Sequence, residues 1–178
     1  VKGGSQRDLR VFHTALYRCY ERPVDISEYG TCYSAFDHSL HPGSYFFTDN
    51  WIWDTHLALE PLHMILNPRQ EEQKLQSYVE MYRQCGTVPS FAVIGNYVAV
   101  WMADARSKGL KFDLEGIYEG LKDNSLESTL LPWRNGAKTV LDDFYNEKGW
   151  YPALHPEERE TVDEVNMPWE RRQAVSLS

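Results

Sequence analysis

The chain has 178 residues, of which 18 are Lys or Arg and 26 are Asp or Glu, giving a net charge of −8. A content of 42% hydrophobic residues is enough for a folded core and argues against intrinsic disorder. The acidic balance argues against nucleic acid as a partner. No stretch approaches the roughly 18 consecutive apolar residues of a membrane span. We therefore expect a folded chain with neither nucleic-acid binding nor a membrane span.

Apolar residues recur three or four apart through most of the chain, which is the helical period. They predict a first helix over 7–21, which Pro23 ends. Further helices are predicted at 53–66, 71–85, 96–108, from 114 onward and at 140–147. No alternation of period two is strong enough for a sheet, and residues 22–50 are predicted to form long loops. The predicted fold class is mainly α, with helical hairpins joined by long loops.

Residues at the predicted helix ends fit these boundaries. Gly86 and Gly109 can adopt the left-handed conformation that stops a helix, and Asp113 is a good N-cap. The helix over 96–108 is apolar on most sides and is predicted to be buried between others. Four aromatic residues at helical spacing are predicted to be core, namely Tyr78, Tyr82, Trp101 and Tyr118.

The densest group of chemically useful side chains lies where the long loop meets the second helix. Trp51 and Trp53 stand beside Asp54, with the amide of Asn50 just before them. Flat rings cover the apolar face of a sugar and a carboxylate accepts hydrogen bonds from adjacent hydroxyls, so the group is typical of sugar binding. In a second interpretation Asp54 caps the helix and both tryptophans are core. Spacing alone leaves both open.

A second group of polar residues lies earlier in the same loop region. Asp37 is followed by His38 and His41, which are three residues apart. Two histidines at this interval can bind a metal on a helix, but this stretch is loop-like and lacks a third ligand in phase. Hydrogen bonding within the loop is therefore the favoured interpretation, and no metal ligand is assigned.

Five phrases follow one another along nearly the whole chain. They are Phe12-His-Thr-Ala-Leu-Tyr17; Tyr33-Ser-Ala-Phe-Asp37 with His41; Thr48-Asp-Asn-Trp-Ile-Trp-Asp-Thr55; Gly95-Asn96 with Ala103-Asp-Ala-Arg-Ser-Lys-Gly109; and Val165-Asn166 with Arg172-Gln-Ala-Val175. Together they resemble glycoside hydrolase family 92, the family of exo-acting α-mannosidases. The Trp-Asp-Thr block combined with the Phe-x-Thr-Ala-Leu-Tyr opening is the most specific part of this resemblance.

The resemblance implies a fold and an activity. It implies that residues 1–178 are the N-terminal part of a single catalytic (α/α)₆ barrel whose remainder lies outside this chain. The implied enzyme releases terminal mannose from α-mannosides of the N-glycan type by an inverting, calcium-dependent mechanism. Its partners would be a mannose-containing glycan and the remaining part of the same domain. The general acid, the base and most calcium ligands would lie outside the chain, so no catalytic residue is assigned. The family also suggests a secreted or periplasmic bacterial enzyme.

The resemblance also implies roles for individual residues. Trp53 and Asp54 match the family's Trp-Asp block and would contact the terminal sugar, together with Trp51. Asp37, with His41, would order the pocket loop and belong to the substrate site. Asn96 matches a polar position ahead of the fourth helix and would also belong to the substrate site.

The role of Asn96 and the function of the chain each have an open alternative. Between Pro89 and Gly95 the chain departs from the family pattern, which has a longer polar loop there, and this puts the role of Asn96 in doubt. The alternative function is a non-catalytic helical module that binds carbohydrate or another partner.

Overall fold

The computed structural model describes residues 2–43, 45–89, 96–127, 138 and 140–149. The helices are α1 (Gln6–Arg18), α2 (Ile52–Thr55), α3 (Leu59–Leu66), α4 (Pro68–Cys85), α5 (Tyr97–Ser107), α6 (Leu114–Leu126) and α7 (Val140–Lys148). The strands are β1 (Val24–Asp25), β2 (Ser27–Glu28), β3 (Thr31–Ser34), β4 (Ser39–Pro42) and β5 (Phe47–Thr48). The mainly α class is confirmed in this coarse form. The family phrase at 165–175 and the departure between Pro89 and Gly95 lie outside the described residues.

The prediction of sheet-free loops over 22–50 was wrong. Strands β1 and β5 pair antiparallel, with Val24 opposite Thr48, and β2, β3 and β4 form a second antiparallel sheet. Each strand has only two to four residues, which is too short to show an alternating pattern in the sequence. Pairing between backbone groups brings Thr48, just before the tryptophans, against Val24, which follows α1 in the chain.

The predicted second helix is divided into two. Helix α2 ends at Thr55 and α3 begins at Leu59. Between them the His56 Nδ1 atom lies 2.9 Å from the carbonyl oxygens of both Ile52 and Trp53. The Ile52 carbonyl also accepts from the His56 amide, so the ring adds a contact to the Trp53 carbonyl near the end of α2. An imidazole N–H that donates to a carbonyl near a helix end stabilises that end.

The core lies between α4, α5 and α6, and these helices agree with the prediction. The rings of Tyr78 and Trp101 meet in a T-shaped arrangement at a centroid distance of 5.2 Å, and both side chains are buried. Gly86 and Gly109 have positive φ values of 74° and 86°, and Asp113 accepts a hydrogen bond from the Gly116 amide. Other buried members of this core are Leu75, Val79, Val98, Met102, Ala105 and Ile117. The predicted helix stops and N-cap are confirmed.

The predicted core residue Tyr118 and one side of α5 are exposed instead. Tyr118 is 59% exposed, and Val100 on α5 is 53% exposed, so α5 is not buried on all sides. Next to Tyr118, α5 and α6 border an apolar groove of about 450 Å³, lined by residues that include Met102, Leu121 and Leu126. Helical spacing identifies an apolar stripe but not whether another element covers it. No helix among the described residues has both the length and the hydropathy needed to cross a membrane.

Candidate active-site segment

The segment from Trp51 to Asp54 lies at the surface where β5 leads into α2. Trp51 is 49% exposed, Trp53 is 47% exposed, and Asp54 is also exposed. Trp51 occupies the N-cap position of α2, and no side chain caps that helix. The interpretation in which Asp54 is a cap and both tryptophans are core is therefore wrong. Residues 51, 53 and 54 present two rings and a carboxylate to solvent.

Trp51 has side-chain contacts that leave less of its ring free for a ligand. The Trp51 indole N–H donates to Asp49 Oδ1 at 3.0 Å, and the Arg22 guanidinium lies 5.6 Å from the ring centroid while also pairing with Asp49. One part of the Trp51 surface is thus occupied by a cation. The Asp54 carboxylate accepts no hydrogen bond from any residue that the structure describes. Trp53 and Asp54 are therefore the better placed of these side chains to receive a ligand.

The beginning of α5 is close to the end of α2. The His56 and Tyr97 rings have a centroid distance of 4.5 Å. Asn96, which directly precedes Tyr97, is half-buried and its Nδ2 donates to Ser125 Oγ at 3.2 Å. The fold thus places Asn96 on the side of the molecule where α2 lies. Its assignment as a sugar contact stays a prediction.

Asp37 lies in the turn between β3 and β4, where its carboxylate has local partners. His41 Nε2 lies 2.8 Å from Asp37 Oδ2, and Ser39 donates to Asp37 Oδ1 through its amide and its hydroxyl. Burial raises the pKa of Asp37, but the Ser39 hydrogen bonds and His41 outweigh it and hold this pKa below its usual value. His38 contacts Tyr33. Hydrogen bonding within the loop is confirmed, and Asp37 as a sugar contact stays a prediction.

Beneath the exposed segment lies a set of buried ionisable side chains that sequence reasoning missed. We call Glu60, His63, Glu71 and Lys74 the buried charge cluster; each is at most 2% exposed. Lys74 Nζ lies 3.1 Å from Glu60 Oε2 and 2.9 Å from Glu71 Oε2, and it contacts His63 Nδ1. Because an ammonium has no lone pair, Lys74 donates to Glu60 and to His63, and it pairs with Glu71 as an ion without a hydrogen bond to Oε2. His63 therefore accepts through Nδ1 and carries its proton on Nε2.

Hydrogen bonds connect the buried charge cluster to both ends of the exposed segment. Asn50 Nδ2 donates to Glu60 Oε1 at 2.8 Å, and the Thr55 hydroxyl donates to Asn50 Oδ1 at 3.1 Å. At the far side of the cluster, Trp101 Nε1 donates to Glu71 Oε1 at 2.7 Å. Residues 50 and 55 bracket the segment, so the tryptophans and Asp54 are attached at both ends to a buried ionic framework.

The protonation of the cluster follows from one cation between two carboxylates. Burial and the nearby Glu60 charge raise the pKa of Glu71 to about 7, although Lys74 and the Trp101 hydrogen bond lower it. Burial also raises the pKa of Glu60, but Lys74 and the Asn50 hydrogen bond outweigh it and lower that pKa. Burial and Lys74 lower the pKa of His63. Glu60 is thus the ionised partner of Lys74, and Glu71 is the group that titrates near neutrality.

The sequence contained a sign of this cluster. Glu71 and Lys74 have the same helical phase as Leu75 and Tyr78, the buried residues of α4. Charged residues inside an apolar stripe must be paired or exposed. Reading the whole stripe, rather than only its apolar members, would have indicated buried charges there.

The buried charge cluster does not fit the calcium ion that the family resemblance implies. The only acid and histidine triad in the described part of the chain with ligand atoms within 4.8 Å of one another is Glu60, His63 and Glu71. Calcium takes about six to eight oxygen ligands. This triad offers a nitrogen, and the Lys74 ammonium already lies against both carboxylates. The buried charge cluster is therefore an ion-pair network and not a calcium site.

Comparison with known proteins agrees with this fold. Residues 1–170 match the catalytic domain of glycosyl hydrolase family 92. The family 92 inverting mannosidase BT2199 from Bacteroides thetaiotaomicron is 29% identical, with a TM-score of 0.75 over 88% of this chain and 22% of that chain. The α-mannosidase BT3965 from the same bacterium shares the fold, with 20% identity and a TM-score of 0.71 over 85% of this chain and 21% of that chain. No curated protein matches the chain.

These findings define the class of protein. Most of the chain matches the catalytic domain of a glycoside hydrolase family. It belongs to glycosyl hydrolase family 92, as the sequence phrases predicted. It spans about a fifth of the length of the two solved structures.

Proposed function

We propose that the protein is an exo-acting α-mannosidase that releases terminal mannose from α-mannosides, including those of N-glycans, and that this chain supplies sugar contacts. The observation that supports the proposal most directly is the exposed pair of Trp53 and Asp54, whose carboxylate has no partner among the described residues. A ring beside a carboxylate free to accept hydrogen bonds suits a sugar with adjacent hydroxyls. The names of the structural relatives, both mannosidases, agree with this choice.

The proposed division of labour gives this chain binding and not proton transfer. Trp53 would lie against the apolar C–H face of the terminal sugar, and Asp54 would accept hydrogen bonds from its hydroxyls. An inverting reaction also needs a carboxylic acid and a carboxylate base about 6.5–9.5 Å apart, with a water between base and sugar. We place that pair in the remaining part of an (α/α)₆ domain. We likewise propose that calcium is required through ligands outside the described residues, and that the enzyme is secreted or periplasmic.

The test is Asp54→Ala in the full-length protein, with an aryl α-mannoside as substrate. Loss of a charged contact to the reacting sugar should lower kcat/KM by about a hundredfold, since hydrogen bonds to charged groups contribute about 1.5–3 kcal/mol. The exposed acid Asp123 on α6 provides a matched control, and Asp123→Ala should stay within twofold of the wild type.

Two results would contradict the proposal. Near-normal kcat/KM in Asp54→Ala would remove Asp54 from the sugar site. A wild-type protein that binds mannose in isothermal titration, yet hydrolyses no α-mannoside in the presence of calcium, would favour the non-catalytic carbohydrate-binding module instead.

A further inference from the structure

The exposed segment from Trp51 to Asp54 does not lie within a long helix or strand. Helix α2 has only four residues and lacks a side-chain cap, and β5 before it has two residues. So short a helix forms only where tertiary contacts fix it. Within the segment Ile52 is fully buried and anchors its middle. The ends are fixed by the side chains of Asn50 and Thr55.

The Asn50 amide has one orientation because one of its partners accepts a hydrogen bond and the other donates one. Glu60, as a carboxylate, only accepts, so the amide NH₂ group must point to it. The Asn50 carbonyl oxygen then faces the Thr55 hydroxyl, which donates to it. Lys74 holds Glu60 in its ionised form at 3.1 Å. The charge pair thereby determines which way Asn50 points, and Asn50 determines where residues 51–54 begin and end.

Stability alone is a poor explanation for this arrangement. Moving a carboxylate and an ammonium out of water costs several kcal/mol per ion, and an apolar replacement of similar volume is often equally stable or more so. Directional contacts, in contrast, specify position, which an apolar core does less sharply. Because every connection from Lys74 to Thr55 is buried, water does not compete for these contacts.

We propose that Asn50, Glu60 and Lys74 are positioning residues, which hold Trp53 and Asp54 in the geometry that binds the sugar. This inference rests on the proposed function, because it assigns a purpose to the framework beneath that site. None of the three touches the sugar. Displacement of a substrate-positioning group by about 1 Å can reduce a rate about a hundredfold, so a loosened framework should be visible in kinetics.

The first variant is Asn50→Ala in the full-length protein, assayed with an aryl α-mannoside well below the melting temperature. It removes both hydrogen bonds while Glu60 keeps Lys74, so no buried charge is left unpaired. We expect kcat/KM to fall at least tenfold, with a raised KM contributing to the loss. The control is Asp113→Ala, which removes the N-cap of α6 and contacts with Gly116 and Arg83. It should lower stability yet leave kcat/KM within twofold.

A second pair of variants tests the hydroxyl alone and applies even if Asn50→Ala does not fold. Thr55→Val keeps the shape but cannot donate to Asn50, and it should lower kcat/KM at least fivefold. Thr55→Ser keeps the donor and should restore most of the activity. Equal kinetics for the valine and serine variants would overturn the inference, as would an Asn50→Ala protein within twofold of the wild type.

Failure of the proposed function would be recognised separately. A wild-type protein that hydrolyses no α-mannoside contradicts the proposed activity, whatever the variants do. Mannose affinity, measured by isothermal titration, then takes the place of kcat/KM for the same set of variants. The same order, with the wild type and Thr55→Ser tightest and Asn50→Ala and Thr55→Val weakest, would support the positioning role. Equal affinities would overturn it.

Discussion

The ionisation of Glu71 should make the stability of the region around α4 depend on pH. Burial raises its pKa to about 7 in the folded protein, whereas an unfolded glutamate titrates near 4.5. Between these values the folded state binds the proton and the unfolded state does not. The free energy of unfolding must therefore fall as pH rises from about 4.5 to about 7, and it must level off above that range.

Glu71→Gln removes this dependence because glutamine does not ionise. One pKa unit corresponds to about 1.36 kcal/mol, so a rise from 4.5 to about 7 amounts to about 3 kcal/mol. The amide of the variant faces the Lys74 ammonium and changes the free energy of unfolding by a further amount. That amount does not vary with pH, because the amide does not titrate. The lowered pKa values of Glu60 and His63 act in both proteins. The variant should thus gain about 3 kcal/mol relative to the wild type between pH 4.5 and pH 8.

Hydrogen exchange of α4 amides in the full-length protein measures this difference locally. Comparing the two proteins at equal pH removes the intrinsic pH dependence of exchange. The ratio of wild-type to variant exchange rates should increase about a hundredfold from pH 4.5 to pH 8, since 1.4 kcal/mol is a factor of ten. Glu119→Gln, at an exposed site on α6, should give a flat ratio. A flat or decreasing ratio for Glu71→Gln would refute the assignment of Glu71 as the titrating group.

Two stability predictions concern close packing and capping. Gly120→Ala should destabilise the protein by about 1–3 kcal/mol, because the added Cβ would lie 2.6 Å from the Tyr82 ring. An unchanged melting temperature in calorimetry would contradict this. Tyr82→Leu in the same background should relieve the clash. Ser5→Ala should lower the stability of α1 by about 1 kcal/mol, because it removes the capping box with Asp8. Amide hydrogen exchange in the first turn of α1 should then be faster. Exchange equal to that of the wild type would show that the cap contributes nothing.

The sequence was a good guide where one local rule determines the structure. Helix α4 follows from a long apolar stripe with Asn67 before it and Gly86 after it, and each of these acts within one helical turn. The family phrases likewise predicted the family, because an ordered set of motifs needs no knowledge of packing. The exposed position of Trp51 and Trp53 was not decided by residue type, since the same rings are common in cores.

The remaining features depend on contacts between distant parts of the chain. The pairing of β1 with β5 joins residues about 23 positions apart through backbone groups that leave no pattern in two-residue strands. The contact of the His56 ring with the Trp53 carbonyl at the end of α2 cannot be read from residue type. The buried charge cluster requires α3 and α4 to meet, so that Lys74 reaches Glu60 across 14 positions. Composition shows these charges but not that they are buried together.

The anchoring of the exposed segment separates two kinds of mutational freedom. Asn50, Ile52 and Thr55 face inward, whereas Trp51, Trp53 and Asp54 alternate with them and face solvent. The outward set can therefore be randomised as a small library while the inward set is left intact. Such a library would change the side chains of the proposed sugar site at little cost in folding, and screening it on different glycosides would map which of them set its specificity.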